Sequence, residues 1–429
     1  GHQIPAYYLP SGEFVVAETK EEALKKAQEI DKNITIDNLT QDEDVLDTWF
    51  SSWLWPITVF DGINDPDNEE INYYYPTSDL VTAPEIIFFW VARMIVAGYE
   101  YRDEMPFKNV YFTGIVRDKQ RRKMSKSLGN SPDPIELMKK YGADGVRAGM
   151  LFSAPAGNDL LFDEKLCEQG RNFSNKLWNA FRLIQTLEVS DKGKDQSLAI
   201  DWINSRFNEV LKEVDDHFSK YRISDALLSL YTFIWDDFCS WYLEIIKDNS
   251  ISDKTHKGTL AVLDKILKTL HPFMPFITEE LWNQIDKERD YIMISEYPLP
   301  ENFDEVLNND FKKVFEMVTG LRKLKSDNKI KQIDVVEVMV SKKSDFDFIK
   351  YRELIEKLSK TKDLQEVNEI PSNYPTLISG KDTLCLAIEK SEDSKEDTLK
   401  QIEYLEGFLK SVDKKLSIKN FVDNAPQNV

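Results

Sequence analysis

Cysteine is scarce and unpaired in this 429-residue sequence: Cys167, Cys239 and Cys385 lie far apart and form no CxxC pair. That excludes a disulfide framework and a thiolate zinc knuckle, and it fits a reducing, cytoplasmic compartment. Histidine is as sparse. His2, His217, His256 and His271 show no HxxxH spacing, so no metal centre is expected, structural zinc included. No apolar run reaches the roughly 20 residues of a membrane span. The longest, Ile86 to Gly98, is shorter and carries Arg93. The N-terminus, Gly1-His2-Gln3-Ile4-Pro5, has no charged stretch leading into an apolar one, so no secretory leader is read there and no membrane partner is expected. Positive charge is in deficit too: 55 Lys and Arg against 75 Asp and Glu give a net charge of −20. Such a balance argues against a protein that coats nucleic acid through general basicity, while leaving room for a local basic site.

What is present supports real cores. The chain is 41% hydrophobic and holds 24 Phe, 17 Tyr and 9 Trp, and its length predicts about three domains. Residues 1–158 mix short strands and helices, the pattern of an α/β layer. A strand is expected over Phe14 to Ala17, an exposed helix over Lys20 to Ile30, a loop over Asp61 to Asn68 and a helix over Pro84 to Gly98. A β run over Val110 to Val116 then leads into a basic loop, and Asp133-Pro134-Ile135-Glu136 starts a helix that Gly142 ends. Residues 159–304 read as a helical bundle, with one apolar stripe at Phe173, Leu177, Phe181, Ile184 and Leu187 and another at Leu227, Leu230, Ile234, Phe238, Trp241 and Ile245. A third helix carries Leu260, Leu263, Leu267 and Leu270, and Thr278 is expected to cap a fourth after the break at His271 to Phe276. Residues 305–390 read as a smaller α/β unit. Residues 391–429 combine an acidic linker, Ser391 to Asp397, with a heptad seam at Ile402, Leu405, Leu409, Val412 and Leu416, as in the first helix of a coiled coil.

The most specific feature is Arg121-Arg122-Lys123-Met124-Ser125-Lys126-Ser127-Leu128-Gly129-Asn130, directly after the expected strand. Residues 117–126 hold six basic side chains and one acid, a local net of +5. Two ammonium groups three residues apart on a Ser/Gly-containing loop can both reach one polyphosphate, each as a point charge with rotatable donors. The pentad Lys123 to Ser127 arises by chance in about one chain of this length in ten thousand.

The pentad resembles the second signature of the class I aminoacyl-tRNA synthetases. Further pieces in that family's order look most like its valyl-tRNA synthetases: Asp44 to Ser52, Tyr75 to Ser78, Ile86 to Met94, Arg171 to Ala180 and His271 to Trp282. The resemblance implies a multidomain fold. It would comprise the C-terminal part of a Rossmann-like catalytic domain (1–158), a helical-bundle anticodon-binding domain (159–304), a small α/β domain (305–390) and the start of a coiled-coil hairpin (391–429). It implies the valine-tRNA ligase reaction, with ATP and accompanying Mg²⁺, valine and tRNA(Val) as substrates, carried out by a monomer.

By the same resemblance Lys123 and Lys126 are catalytic and hold the triphosphate, with Met124, Ser125, Ser127 and Glu85 in the ATP site. Trp49, Ile86 and Trp90 would line the valine pocket, a small apolar box. Arg171, Asn175 and Lys176 are candidate tRNA contacts.

The sequence also departs from the family pattern. Ala83, Glu85 and Arg121 stand where the family has Gly, Asp and Gly, and the His-x-Gly-His signature is missing. Gln3 to Tyr7 matches the stretch directly after the family's editing insertion. The expectation is therefore the C-terminal portion of a synthetase, inactive alone but retaining tRNA binding. The alternative is a repurposed RNA- or protein-binding module.

Overall fold

The structure, a computed structural model, describes residues 1–154, 159–388, 399, 402–412 and 417. Two units emerge. One comprises Gly1–Arg171 with His217–Leu227, the other Asn172–Asp216 with Leu228–Val429.

The first unit opens with an antiparallel sheet, β1 (Ala6–Tyr8), β2 (Phe14–Val16) and β3 (Thr40–Gln41), in the order β2-β1-β3. The expected helix Lys20–Ile30 forms because Thr19 caps it, its hydroxyl accepting from the Glu22 amide. Ala23 and Ala27, one turn apart, bury fully against Tyr7, Val15 and Leu39. Next comes a parallel pair, β4 (Thr77–Thr82) beside β5 (Phe107–Phe112), in register from Thr77 opposite Phe107 to Thr82 opposite Phe112. Parallel neighbours need a crossover, and residues 84–102 supply it. The crossover is helical as expected but not uniformly α: a 3₁₀ turn Pro84–Ile86 and a π stretch Ile87–Val91 precede the α-helix Ala92–Arg102. Its inner face, Val91 and Met94, packs on Leu80 and Phe107.

The expected strand over 110–116 is corrected. It ends at Phe112, and a separate strand, β6 (Val116–Arg117), pairs in parallel with β7 (Leu160–Leu161). The physical reason is that the two halves of one apolar run find different partners. Helix Pro134–Tyr141 starts on Asp133, whose carboxylate accepts from the Ile135 amide, and Gly142 stops it with φ +76. Helices Ala143–Phe152 and Glu164–Thr186 then meet backbone to backbone. A Cβ on Gly149 would lie 2.6 Å from the Cys167 nitrogen, and one on Gly170 would lie 2.4 Å from the Gly145 oxygen.

The second unit is mainly a helical bundle. Its long helices include most of Ser197–Ser219, and Asp253–Leu270, Pro275–Ile285 and Glu305–Asp327, and Phe173, Leu177, Phe181, Ile184, Leu230, Ile234 and Phe238 are buried as the periodicity requires. Within it Val189–Lys194 is extended (β8). There Gly193 passes so close to the Ile251 carbonyl that a Cβ would lie 2.0 Å from its oxygen. One expectation is corrected: Thr278 does not cap the fourth helix. Met274 is the cap and Pro275 the first helical residue, while Thr278 is buried in the first turn, donating to the Met274 carbonyl at 2.8 Å and touching His271 Nδ1 at 2.8 Å.

Helix Glu305–Asp327 stacks Phe311 on Trp202 (ring centroids 4.7 Å apart) and Phe315 on Trp241 (4.2 Å). It also lies against a four-stranded sheet ordered β10-β9-β12-β11, formed by β9 (Val336–Ser341), β10 (Thr361–Glu366), β11 (Thr376–Ser379) and β12 (Asp382–Leu386). On that helix Lys325 is fully buried. Its ammonium donates to the carbonyls of Asp334 (2.8 Å), Ser359 (2.9 Å) and Lys360 (2.6 Å). The acidic linker lies outside the described residues, as does Leu416. Residues 402–412 are helical, with Ile402, Leu405 and Leu409 exposed. Among the described residues no helix is long and apolar enough to cross a membrane.

Candidate active site

The lysine loop grows out of β6. Arg117 forms an antiparallel bridge with Lys123, and the Met124 amide donates to the Val116 carbonyl at 3.1 Å, so the chain turns back on itself within a few residues. Two backbone bonds close the turn: the Arg121 amide to the Asp118 carbonyl (2.8 Å) and the Asp118 amide to the Arg122 carbonyl (2.9 Å). A hairpin this tight needs a left-handed residue after its first turn, and Arg121 fills that place with φ +64. This is one position where the family resemblance expects Gly. At the other, Ala83, φ is −86, a conformation any residue adopts.

Asp118 sits at the centre. Its Oδ1 accepts from the amides of Gln120 and Arg122, both at 2.9 Å, and its Oδ2 from Arg122 Nε at 2.8 Å and Asn130 Nδ2 at 3.0 Å. The Asn130 amide, then the backbone and Arg122, hold its carboxyl well below the usual carboxylate range. Beyond Lys123, Ser125 Oγ lies 3.1 Å from Ser127 Oγ and accepts from the Leu128 amide at 3.3 Å. Lys126 to Gly129 forms a turn closed by the Gly129 amide on the Lys126 carbonyl at 3.2 Å.

In three dimensions the +5 of the loop is partly offset by carboxylates beside it. Arg117 pairs with Asp159, Lys119 with Asp163 (3.4 Å), Arg122 with Asp118 (2.8 Å) and Lys123 with Glu85 (3.1 Å). Four carboxylates against six cations leave two positive charges. Lys123 and Arg117 hold the carboxyls of Glu85 and Asp159 below their ordinary values. The Lys123 pair is 66% and 43% exposed on its two sides, so it exchanges readily with solvent or with an incoming anion.

Glu85 stands in the 3₁₀ turn just beyond the carboxyl end of β4, the edge of a parallel sheet where open α/β folds place their ligands. The geometry thus joins two of the sequence candidates, Glu85 and Lys123. Met124 and Ser125 are half-buried, whereas Lys126 and Ser127 are exposed.

Trp49, Ile86 and Trp90 are all half-buried. Trp49 stacks on Phe89 at 5.8 Å and Trp90 on Trp55 at 5.9 Å, while Trp90 Nε1 donates to the Ser52 carbonyl at 3.0 Å. Arg171 and Asn175 stand one turn apart on helix Glu164–Thr186. Arg171 pairs with Glu168 at 3.4 Å and lies over the Tyr141 ring, Asn175 is exposed, and Lys176 lies 5.2 Å over the Trp235 ring. Sequence reasoning missed Asp118, Asn130, Asp159 and Asp163. The lone acid of the basic stretch and the Asn closing the motif were the available signals for the first two. The other two are remote in sequence.

Two families match by sequence: tRNA synthetases class I (I, L, M and V) over residues 1–163, and the anticodon-binding domain of tRNA ligase over residues 201–340. The chain belongs to the class I aminoacyl-tRNA synthetases. Within that class it is similar to valine-tRNA ligases: 51% identical over 455 residues to that of Christiangramia forsetii and 52% over 441 residues to that of Phocaeicola vulgatus. A more distant relative, from Fusobacterium nucleatum, is 39% identical over 459 residues. Each alignment covers 100% of this chain and 51%, 50% and 51% of the respective relatives, so the chain spans about half their length, the C-terminal half. A crystal structure of the Agrobacterium radiobacter K84 LeuRS in a ternary complex with tRNA and LeuAMS shares the fold. It has a TM-score of 0.53 at 16% identity and covers 71% of this chain and 41% of that one.

Proposed function

We propose that this chain forms, with the upstream half its relatives carry, a valine-tRNA ligase that activates valine with ATP and transfers it to tRNA(Val). The observation that carries the reading is the lysine loop folded against Glu85 at the carboxyl end of β4. In the first step a valine carboxylate oxygen attacks the α-phosphorus of ATP, and the bond from that phosphorus to the bridging oxygen breaks, releasing pyrophosphate. Negative charge accumulates on the departing group, and Lys123 and Lys126 stabilise it. Losing one such donor typically raises a barrier by about 3 to 4 kcal/mol. Met124, Ser125 and Ser127 shape the loop, and Glu85, once the triphosphate takes Lys123, is free for the nucleotide's ribose. Mg²⁺ enters with ATP as part of the substrate. Trp49, Ile86 and Trp90 bound the valine side chain.

The proposed domain limits are 1–158, 159–304, 305–390 and 391–429, with the helical bundle and Arg171, Asn175 and Lys176 serving tRNA. The protein is proposed to work as a cytoplasmic monomer. Residues 1–429 alone are expected to give negligible activation, since they hold one side of the nucleotide site. The test is valine-dependent ATP–pyrophosphate exchange. The protein with its upstream half should exchange, and Lys126→Ala should lose exchange by roughly 100-fold or more. Robust exchange by residues 1–429 alone would overturn the division of labour. Binding of tRNA should weaken steeply with added salt, since phosphate contacts dominate such affinities, and a flat response would count against the tRNA assignment.

A further inference from the structure

We infer that Asp118 and Asn130 are positioning residues that set where the two loop lysines leave the backbone, an inference that rests on the function proposed above. Asn130 spans Met124: its Oδ1 accepts from the Ser125 amide at 2.9 Å, and its Nδ2 donates to the Lys123 carbonyl at 3.3 Å. The same Nδ2 donates to Asp118 Oδ2 at 3.0 Å. One side chain therefore grips the main chain on both sides of Met124, between the two lysines, and is itself tied to Asp118, a residue only 9% exposed.

These bonds are not needed to close the hairpin. The Arg121 and Asp118 amides already close it through backbone carbonyls, and the Asn130 contacts fall beyond the turn, at Lys123 and Ser125. Lysine side chains are rotamer-rich, and Lys123 is 66% exposed. What the fold can set in advance is the origin and direction of each chain, and a displacement of about 1 Å at that origin costs roughly 100-fold in rate. Neither residue touches a reacting atom; each acts through the lysines.

The distinction from a mere staple lies in which step suffers. Activation has polyphosphate for the lysines to hold, whereas transfer of valine from the adenylate to tRNA releases AMP with no polyphosphate present. The experiment uses the enzyme with its upstream half and compares Asn130→Ala, Asp118→Asn and the double variant. It reads valine-dependent ATP–pyrophosphate exchange, and single-turnover transfer from preformed adenylate to tRNA. Each single variant should lower kcat of exchange roughly 10- to 100-fold while KM for valine and the transfer rate stay within about twofold. The double variant should be no worse than the worse single, since the pair acts as one unit.

Exchange within about twofold of the unaltered enzyme in Asn130→Ala would overturn the inference alone, as would equal losses in exchange and transfer. Unaltered enzyme without valine-dependent exchange would overturn the proposed function, and this inference with it.

Discussion

Arg121 offers a test of the loop's construction that needs no substrate. At φ +64 it occupies a region that costs an L-residue about 1 to 2 kcal/mol. Its own polar ties are main-chain ones, the amide to Asp118 and the carbonyl accepting from Arg117 Nη1 at 3.2 Å, and its side chain is exposed. Arg121→Gly keeps those ties and removes the strain, while the greater freedom of Gly in the opened state returns about 0.4 to 1 kcal/mol. The net centres on a hairpin more stable by about 0.8 kcal/mol, or roughly fourfold in its opening equilibrium. Arg121→Val works the other way: a β-branched residue is a genuine outlier at positive φ and should open the hairpin about fivefold more readily. The assay is amide hydrogen exchange at Met124, whose bond to Val116 spans the hairpin, under conditions where exchange reports the opening equilibrium. Faster exchange in Arg121→Gly, or indistinguishable rates in the Gly and Val variants, would refute the reasoning.

Two further outcomes rest on the same kind of accounting. Lys325→Met strands three carbonyls that the buried ammonium now satisfies and should weaken the surrounding sheet by about 3 kcal/mol, read as roughly 100-fold faster amide exchange at Val338 and Val340. Lys325→Arg should fare little better because a planar guanidinium cannot reproduce the three-way geometry, and native-like exchange in either variant would sink the account. The loop should also be indifferent to mild acid. The folded pKa of Asp118 is depressed, so its contribution is fully present above its ordinary value of 3.8 and is lost as pH falls below that toward the folded value. Met124 protection, corrected for intrinsic exchange, should therefore stay flat from about pH 7 to pH 4, and a decline within that window would contradict the assignment.

The loop of the candidate site was legible as a motif because its signal is local. Lys123 to Ser127 is a short, improbable string, and the helix starts at Thr19 and Asp133 carry their caps in adjacent residues. What failed was nonlocal. An apolar run from Val110 to Val116 says strand, but not that Phe112 closes against Thr82 while Val116 pairs with Leu160. Edge strand β10, Thr-Lys-Asp-Leu-Gln-Glu, shows one large apolar residue, Leu364, and so no alternation to read. The π stretch Ile87–Val91 differs from an α-helix in hydrogen-bond pitch, which five residues of side-chain pattern do not encode. Charge failed in the same way: Glu85, Asp159 and Asp163 lie outside the basic string that they neutralise.

Those carboxylates give the loop built-in counterions. A bare stretch of six cations would gather solution anions and would bind any polyanion partly by shedding them, with an affinity collapsing as salt rises. Here an arriving phosphate would exchange with Glu85 at Lys123, one ion pair for another, and would set few solution ions free there. The loop would thereby be a poor general trap for nucleic acid in an acidic protein, and any response to a nucleotide would be governed by fit and by the local carboxylates more than by ionic strength.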